Sequence, residues 1–123
     1  MMGFTWDEFL EIAKFLKQLH PSNNNYSDEC IVRTIVDRAY YSAFNIARDK
    51  AVKKGYQKQG AKDHRKLPIF FRSKRPEIAG ALEELRDLRN NCSYEIKWID
   101  SRSILDVEEY VILQAEKVLD ELK

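Results

Sequence analysis

The fold is decided by residues 27–55, which read SDECIVRTIVDRAYYSAFNIARDKAVKKG. Ser27 can cap the start of a helix, and Gly55 is a natural stop after a helix that runs to about Lys54. A helix of roughly 28 residues would span about 40 Å, which makes it the central element of the fold. Its apolar residues recur at helical spacing and predict one buried stripe, made of Val32, Ile35, Val36, Ala39, Tyr40, Ala43, Ile46 and Ala47.

The other side of this helix carries long polar and aromatic side chains. An advance of about 100° per residue brings Arg38, Tyr41, Asn45 and Arg48 together as an outward ridge. Two interpretations stay open. The ridge is either a solvated face with one exposed tyrosine, or the lining of a groove or partner surface, where Tyr and Arg are common.

A first helix precedes this segment. Thr5 and Glu8 have the spacing of a capping box, and the helix ends where His20-Pro21 interrupts the pattern. The polar residues 22–26 form a connector. The residues expected to recur on its apolar side are Phe9, Ile12, Ala13, Leu16 and Leu19.

Beyond the central helix, residues 55–62 (GYQKQGAK) predict a flexible basic loop. A short helix should follow from about Asp63 to Phe71 and bury Leu67, Ile69 and Phe70. Because proline is tolerated only in the first turn of a helix, Pro68 allows this helix to begin as late as Leu67.

Two further helices complete the expected fold. Pro76 suits the first position of a helix that continues to about Tyr94. Residues 95–100 break the pattern, and Ser101 or Ser103 caps a last helix carrying Ile104, Val107, Val111, Ala115, Val118, Leu119 and Leu122. Without a convincing alternating strand, the class is all-α, an up-and-down bundle of four to five helices forming a single domain over residues 1–123.

Composition excludes several classes of function. There is no apolar run of about 20 residues and no signal-peptide pattern at the start, so we expect no membrane segment and a cytoplasmic location. The cysteines, Cys30 and Cys92, match no metal-binding spacing and are expected to be reduced thiols. The glycines form no phosphate-binding loop, and we expect no metal and no cofactor.

Charge is distributed unevenly along the chain, although the formal net charge is only +1. Residues 48–75 contain eleven Lys or Arg against two Asp, whereas residues 76–123 contain six basic and twelve acidic residues. Such asymmetry is expected of a polyanion-binding protein, but a solvated basic loop beside an acidic helix would give the same pattern.

The fourth helix contains an arginine inside its apolar stripe. Arg89 shares that side with Ile78, Ala81, Leu82, Leu85, Leu88 and Cys92. Because a buried guanidinium is costly without compensation, Arg89 must pair with a carboxylate, extend to the edge of the core, or face a cleft or subunit boundary that an anion can enter. Spacing alone does not choose among these.

Three landmarks occur in order: RAYYSAF at residues 38–44, a lone histidine, His64, after a glycine-containing loop, and LRDLRNNCSYE at residues 85–95. Together they resemble the HEPN family (higher eukaryotes and prokaryotes nucleotide-binding), in particular short stand-alone prokaryotic proteins with an Arg-Asn-x-Ala-Asp-Tyr motif. The resemblance covers most of the chain, from about Asp28 to Leu122.

The resemblance implies a site and an activity. Catalytic members of the family carry Arg, four to six residues, then His, and dimerise to form one composite RNA-cleaving site. Transferred to this chain, the motif assigns catalytic roles to Arg89, Asn90 and Tyr94. Tyr94 occupies the histidine position, and tyrosine, with a pKa near 10, is a poor base at neutral pH. Tyr94 also lies about 140° from Arg89 on an ideal helical wheel.

The remaining candidate residues would bind nucleic acid or nucleotide: Arg38, Tyr41, Asn45, His64, Arg65 and Lys66. His64 is also a candidate acid or base, with a surface or helix-capping histidine as the simpler interpretation. His20 is expected only to contact carbonyl groups at the end of the first helix.

Two functions follow as expectations. The first is a metal-independent endoribonuclease, or toxin-like effector of a prokaryotic defence or toxin–antitoxin system, acting as a homodimer on RNA. The second is a non-catalytic module that binds nucleotide or RNA, or pairs with a partner such as a nucleotidyltransferase or an antitoxin.

Overall fold

Five α-helices pack against one another in the computed structural model, which describes residues 3–23, 25–94 and 104–123 without the side chains of residues 93, 94, 104 and 105. They are α1 (Asp7–Leu19), α2 (Asp28–Lys53), α3 (Asp63–Arg72), α4 (Pro76–Tyr94) and α5 (Ile104–Glu121). Within these ranges there is no strand, and α2 packs against each of the other four helices. The predicted all-α helical bundle is confirmed.

Helix α2 has the predicted bounds and the predicted core face. The Ser27 hydroxyl accepts a hydrogen bond from the backbone N–H of Cys30 at 3.1 Å, and Gly55 takes a φ of +103° just beyond the helix. A left-handed φ of this kind suits glycine, which has no Cβ to clash. Apart from Ile46, which is half-buried, the whole predicted stripe is buried.

Helix α1 has apolar residues on two faces, and part of its predicted core side is wrong. Leu10 and Ala13 face the core, whereas Ile12 and Leu19 are largely exposed. Phe15 joins them on the outer side, so the helix offers two apolar stripes between which spacing alone cannot choose. The predicted cap is present in part, because the Glu8 carboxylate accepts a hydrogen bond from the Thr5 N–H at 2.9 Å.

Helix α3 begins at Asp63 and keeps Pro68 in its interior, so the allowance for a start at Leu67 was unnecessary. Proline removes one backbone donor here but has a helical φ, and the neighbouring bonds maintain the turn. Leu67 is buried as predicted. Ile69 is 54% exposed, which contradicts the prediction, and Phe71 takes the core position instead.

Asp63 ties the basic segment before α3 to α2. Its carboxylate is fully buried and accepts hydrogen bonds from Arg48 Nη1 at 3.1 Å, from the Gln59 N–H at 2.9 Å and from the Tyr56 hydroxyl. Burial alone would raise the pKa of Asp63, but hydrogen bonds from Tyr56, Gln59 and Arg48 outweigh it and lower the pKa. The segment is therefore held by a buried charge.

Helices α4 and α5 bury the described residues predicted for them, with Leu119 half-buried, and the side chain of Ile104 lies outside the described residues. The predicted break at residues 95–100 and the caps at Ser101 or Ser103 lie outside the described residues. Cys30 is exposed and Cys92 is buried, both as free thiols. Among the described helices, none combines the length and apolar character needed to cross a bilayer.

The Asp63→Asn substitution should lower the free energy of unfolding by about 1.5–3 kcal/mol at pH 7, because it removes the charge that the hydrogen-bond donors Arg48, Gln59 and Tyr56 stabilise. Urea denaturation followed by circular dichroism measures this. The matched control is Asp49→Asn, at an exposed position of α2, which should change stability by less than about 0.5 kcal/mol. The difference in free energy of unfolding between the wild type and Asp63→Asn should be largest above about pH 4. It should shrink as the pH falls through the folded-state pKa of Asp63. Equal effects of the two substitutions at pH 7 would contradict this role.

Candidate nucleic-acid site

Arg89 lies on α4 among buried apolar side chains, and its own side chain is 17% exposed. Its Nη2 donates a hydrogen bond to the Tyr41 hydroxyl at 2.7 Å, and its guanidinium lies 5.1 Å from the centre of the Tyr41 ring. Its Nε lies 3.7 Å from Oδ1 of Asp37. Arg89 therefore pairs with a carboxylate of its own chain and also reaches the edge of the core.

Asp37 is shared between two cations. Its other oxygen, Oδ2, accepts hydrogen bonds from Arg38 Nη2 at 2.5 Å and from Arg38 Nε at 3.2 Å. The contact to Arg89 is longer than a hydrogen bond, so Asp37 binds Arg38 more closely. One carboxylate is thus shared between two guanidinium groups.

The predicted ridge on α2 does not face outward, because α3 and α4 pack on this side of the helix. Asn45 is buried, donating to the Tyr41 carbonyl oxygen at 2.8 Å and accepting from Arg48 Nη2 at 3.0 Å. Tyr41 and Arg48 are half-buried. The interpretation as a solvated face was wrong, and these residues line the junction of α2 with α3 and α4.

His64 lies within this junction rather than on the surface. Its ring stacks on Phe44, with centroids 4.2 Å apart and planes at 11°, and it meets the Tyr41 ring edge-on at 6.0 Å. Its Nδ1 lies 2.5 Å from the Tyr40 hydroxyl. Because Tyr41 contacts both His64 and Arg89, the structure brings together two residues that are 25 positions apart in sequence.

Electrostatics around His64 favour the neutral imidazole. Burial lowers its pKa first, followed by the positive charges of Arg89, Arg48 and Arg86, and Asp63 opposes them only in part. An imidazole whose pKa is lowered by three guanidinium groups marks a region of positive potential. Such a region attracts anions.

The Tyr40–His64 hydrogen bond also fixes which ring nitrogen carries the proton. Tyr40 is buried, and burial raises the pKa of its hydroxyl far above the ordinary value, so the hydroxyl stays protonated. Within the described part of the chain, His64 is the only hydrogen-bond partner of that hydroxyl. Tyr40 therefore donates to Nδ1, and the neutral ring of His64 carries its proton on Nε2, as a hydrogen-bond donor.

The remaining predicted residues lie around this centre with different roles. Arg65 is exposed and lines a cleft of about 310 Å³ between α3 and α4, together with Arg72, Arg86, Glu83 and Asp87. Lys66 donates from Nζ to Gln59 Oε1 at 2.8 Å, so it holds the basic segment. Asn90 is half-buried beside Arg89.

Asp37, Phe44 and Arg86 line the site but were given no role from the sequence, and Tyr40 was assigned to the core alone. The i, i+3 spacing of Arg86 and Arg89 was the available signal. Tyr94 ends α4, and its side chain lies outside the described residues.

The second histidine forms a separate buried cluster. His20 Nδ1 lies 2.6 Å from Oε2 of the buried Glu108, and Nε2 lies 2.8 Å from Oδ1 of Asp28. The expectation that His20 only contacts helix carbonyls was wrong. Burial alone would lower the pKa of His20, but its hydrogen bonds to the carboxylates of Glu108 and Asp28 and their negative charges outweigh it and raise the pKa.

An uncharacterized protein of Methanocaldococcus jannaschii is 32% identical over 113 residues, an alignment covering 76% of this chain and 62% of the relative. The chain thus spans about three fifths of the length of that relative. No family model matches the chain, and no solved structure matches it significantly. In the described ranges, no group of three or more His, Cys, Asp or Glu is arranged to hold a metal ion.

The two histidines should titrate on opposite sides of the ordinary histidine pKa of about 6.5, with His64 below it and His20 above it. NMR of the imidazole groups measures both in one sample. Arg89→Gln should raise the pKa of His64, because a repelling charge is removed, and leave His20 unchanged. Nitrogen shifts should place the neutral proton of His64 on Nε2. An unchanged His64 pKa in Arg89→Gln would contradict the described geometry.

Proposed function

We propose that this protein binds RNA at an arginine site formed by Arg38, Arg48, Arg86, Arg89, Tyr41 and His64. The observation that carries the proposal is that aromatic rings connect two arginines to His64. Tyr41 contacts both Arg89 and His64, and Phe44 stacks on His64 beneath the guanidinium of Arg48, 4.9 Å from the centre of the Phe44 ring. The site contains four arginines, and within the described residues the carboxylates that pair with them are Asp37, shared by Arg38 and Arg89, and Asp63, which pairs with Arg48. Positive charge of this kind, supplied by the chain itself, is the main source of affinity for a phosphate backbone.

The geometry suits a phosphate group better than a point anion. A guanidinium can bind a phosphate through two N–H groups, and Arg89 and Arg86 lie on the same side of α4. The Nε2–H of His64 adds a neutral donor beside them. Asn90, next to Arg89, is the residue that would orient the phosphate. Of the further arginines in the cleft between α3 and α4, Arg72 pairs with Glu83, so Arg65 is the residue that would contact a second phosphate of the strand.

Cleavage is the second candidate function, favoured by the neutral state of His64 at physiological pH. A ribose 2′-hydroxyl would lose its proton to a base and form a bond to the adjacent phosphorus. The bond from phosphorus to the 5′-oxygen would break, and the leaving oxygen would take up a proton. Arg89 would stabilise the negative charge on the phosphate.

The proton transfers decide between binding and cleavage. His64 can serve as the base only in the tautomer with a free lone pair on Nε2, which leaves the buried Tyr40 hydroxyl without an acceptor. Tyr94, which the resemblance places at the position of the proton-transferring histidine, is a poor base. RNA binding is therefore the function that the geometry supports better.

The partners proposed for the chain follow from the HEPN resemblance. In the proposed homodimer, two copies of Arg89 would face one RNA strand across a symmetric interface. A nucleotidyltransferase or an antitoxin is the proposed heterologous partner, and the setting is cytoplasmic.

Arg89→Gln should weaken binding of a labelled single-stranded RNA about 10- to 100-fold, because a charge-assisted contact to phosphate is lost. Fluorescence anisotropy in EDTA at several salt concentrations measures this, and the slope of log affinity against log salt should fall by about one. The control Lys117→Gln removes the same charge from an exposed position of α5 and should have little effect.

The same samples separate the two candidate functions. Fragments ending in a 2′,3′-cyclic phosphate, formed by the wild type and absent with Arg89→Gln, would establish cleavage. Binding without fragments selects the non-catalytic module. A wild type that binds no RNA, or equal effects of the two substitutions, would overturn the proposal.

A further inference from the structure

Three aromatic rings cluster at the start of α1, and we call them the aromatic platform: Phe4, Trp6 and Phe9. Their centroids are 4.8 to 5.6 Å apart, and all three pairs meet edge-to-face. Phe4 is 58% exposed although it takes part in two of these contacts. An ordered aromatic ring is thus presented to solvent.

The aromatic platform is continuous with the arginine site. The guanidinium of Arg38 lies 4.3 Å from the centre of the Phe9 ring and 5.8 Å from that of Tyr41. The same guanidinium pairs with Asp37, which Arg89 also contacts. A ligand lying across this surface would therefore meet a flat apolar ring and a cation side by side.

Local structure explains only part of this arrangement. Phe4 and Phe9 flank the capping residues of α1 as a hydrophobic staple, which fixes the approach of the chain to the helix. A staple needs one apolar contact, which an aliphatic side chain also provides. It does not require Phe4 to remain mostly exposed or the platform to lie against an arginine.

We propose that Phe4 stacks on an unpaired base of an RNA strand whose neighbouring phosphate binds Arg38. The inference rests on the proposed function and narrows it to single-stranded RNA, because a base inside a duplex cannot offer its face. Exposed aromatic rings beside a basic groove are the usual means of binding single strands without sequence preference. The charge of Arg38 and Arg89 favours this occupant over an apolar peptide.

The test measures affinity for a fluorescein-labelled 12-nucleotide oligoadenylate by anisotropy. Phe4→Leu keeps an apolar staple but removes the stacking ring, and it should weaken binding about 5- to 100-fold. Phe4→Trp should bind at least as tightly as the wild type. The matched control is Phe15→Leu, which alters an equally exposed phenylalanine on the outer face of α1 and should leave affinity unchanged. Thermal melting of each variant separates loss of stacking from loss of folding.

A second probe, in which every adenosine is replaced by an abasic ribose, isolates the base. Wild type should lose affinity for it, and Phe4→Leu should bind it as well as wild type does. If RNA binds and Arg89→Gln weakens it while Phe4→Leu matches Phe15→Leu, the aromatic platform is refuted and the proposed function stands. If no variant binds either probe, the proposed function itself fails. Equal affinity for single strands and a matched duplex would also refute the stacking.

Discussion

The guanidinium of Arg89 lies where the helical pattern of α4 would otherwise place an apolar side chain. The polar groups that compensate its charge determine how α2 and α4 pack at this surface. A charge in that position has to be met by polar groups of a neighbouring helix. Tyr41 and Asp37 of α2 meet it, and this requires the Tyr41 side of α2 to face α4. The side of α2 that would suit solvent is thereby turned into the interior of the junction.

Within the described residues, the groups that compensate the charge of Arg89 are the carboxylate of Asp37 and the hydroxyl of Tyr41. Asp37 is held more closely by Arg38 than by Arg89, and Asp63 neutralises only Arg48. Burial and the positive charges of Arg89, Arg48 and Arg86 lower the pKa of His64, and like charges held close together cost the folded protein stability. An anion bound at the arginine site would relieve that cost. The same charges that disfavour the unliganded state thus favour the complex, which ties the stability of the fold to ligand binding.

Features that neighbouring residues determine could be predicted from the sequence, whereas features that depend on helix packing could not. Helix α2 was predicted closely because its cap, its stop and its apolar spacing are all local to residues 27–55. The side of a helix that faces the core was predicted wrongly where the helix has two apolar stripes. On α1, Ile12 is exposed and Leu10 is buried. Residue spacing within α1 contains no information about which face the other helices cover.

The sequence could predict which residues form the site, but not which of them contact one another. Arg89 was conspicuous because a cation interrupts an apolar stripe, and His64 because it accompanies the HEPN-like landmarks. Their connection runs through Tyr40 and Tyr41, which lie on α2 and are brought to His64 and Arg89 only by helix packing. The buried contact of His20 with Glu108 joins residues 88 positions apart, and no local pattern predicts such a pair.

The central claim is that Arg89 and Arg38 are available to a phosphate although Asp37 lies between them. Replacing Asp37 with Asn in the full chain removes that competing charge while keeping the size of the side chain, and the affinity for single-stranded RNA across a salt series measures the result. The account predicts tighter binding and a slope of log affinity against log salt that is steeper by about one. An affinity that stays the same, or that falls together with the stability of the fold, would show that Arg89 is there to hold α4 to α2, and would contradict it.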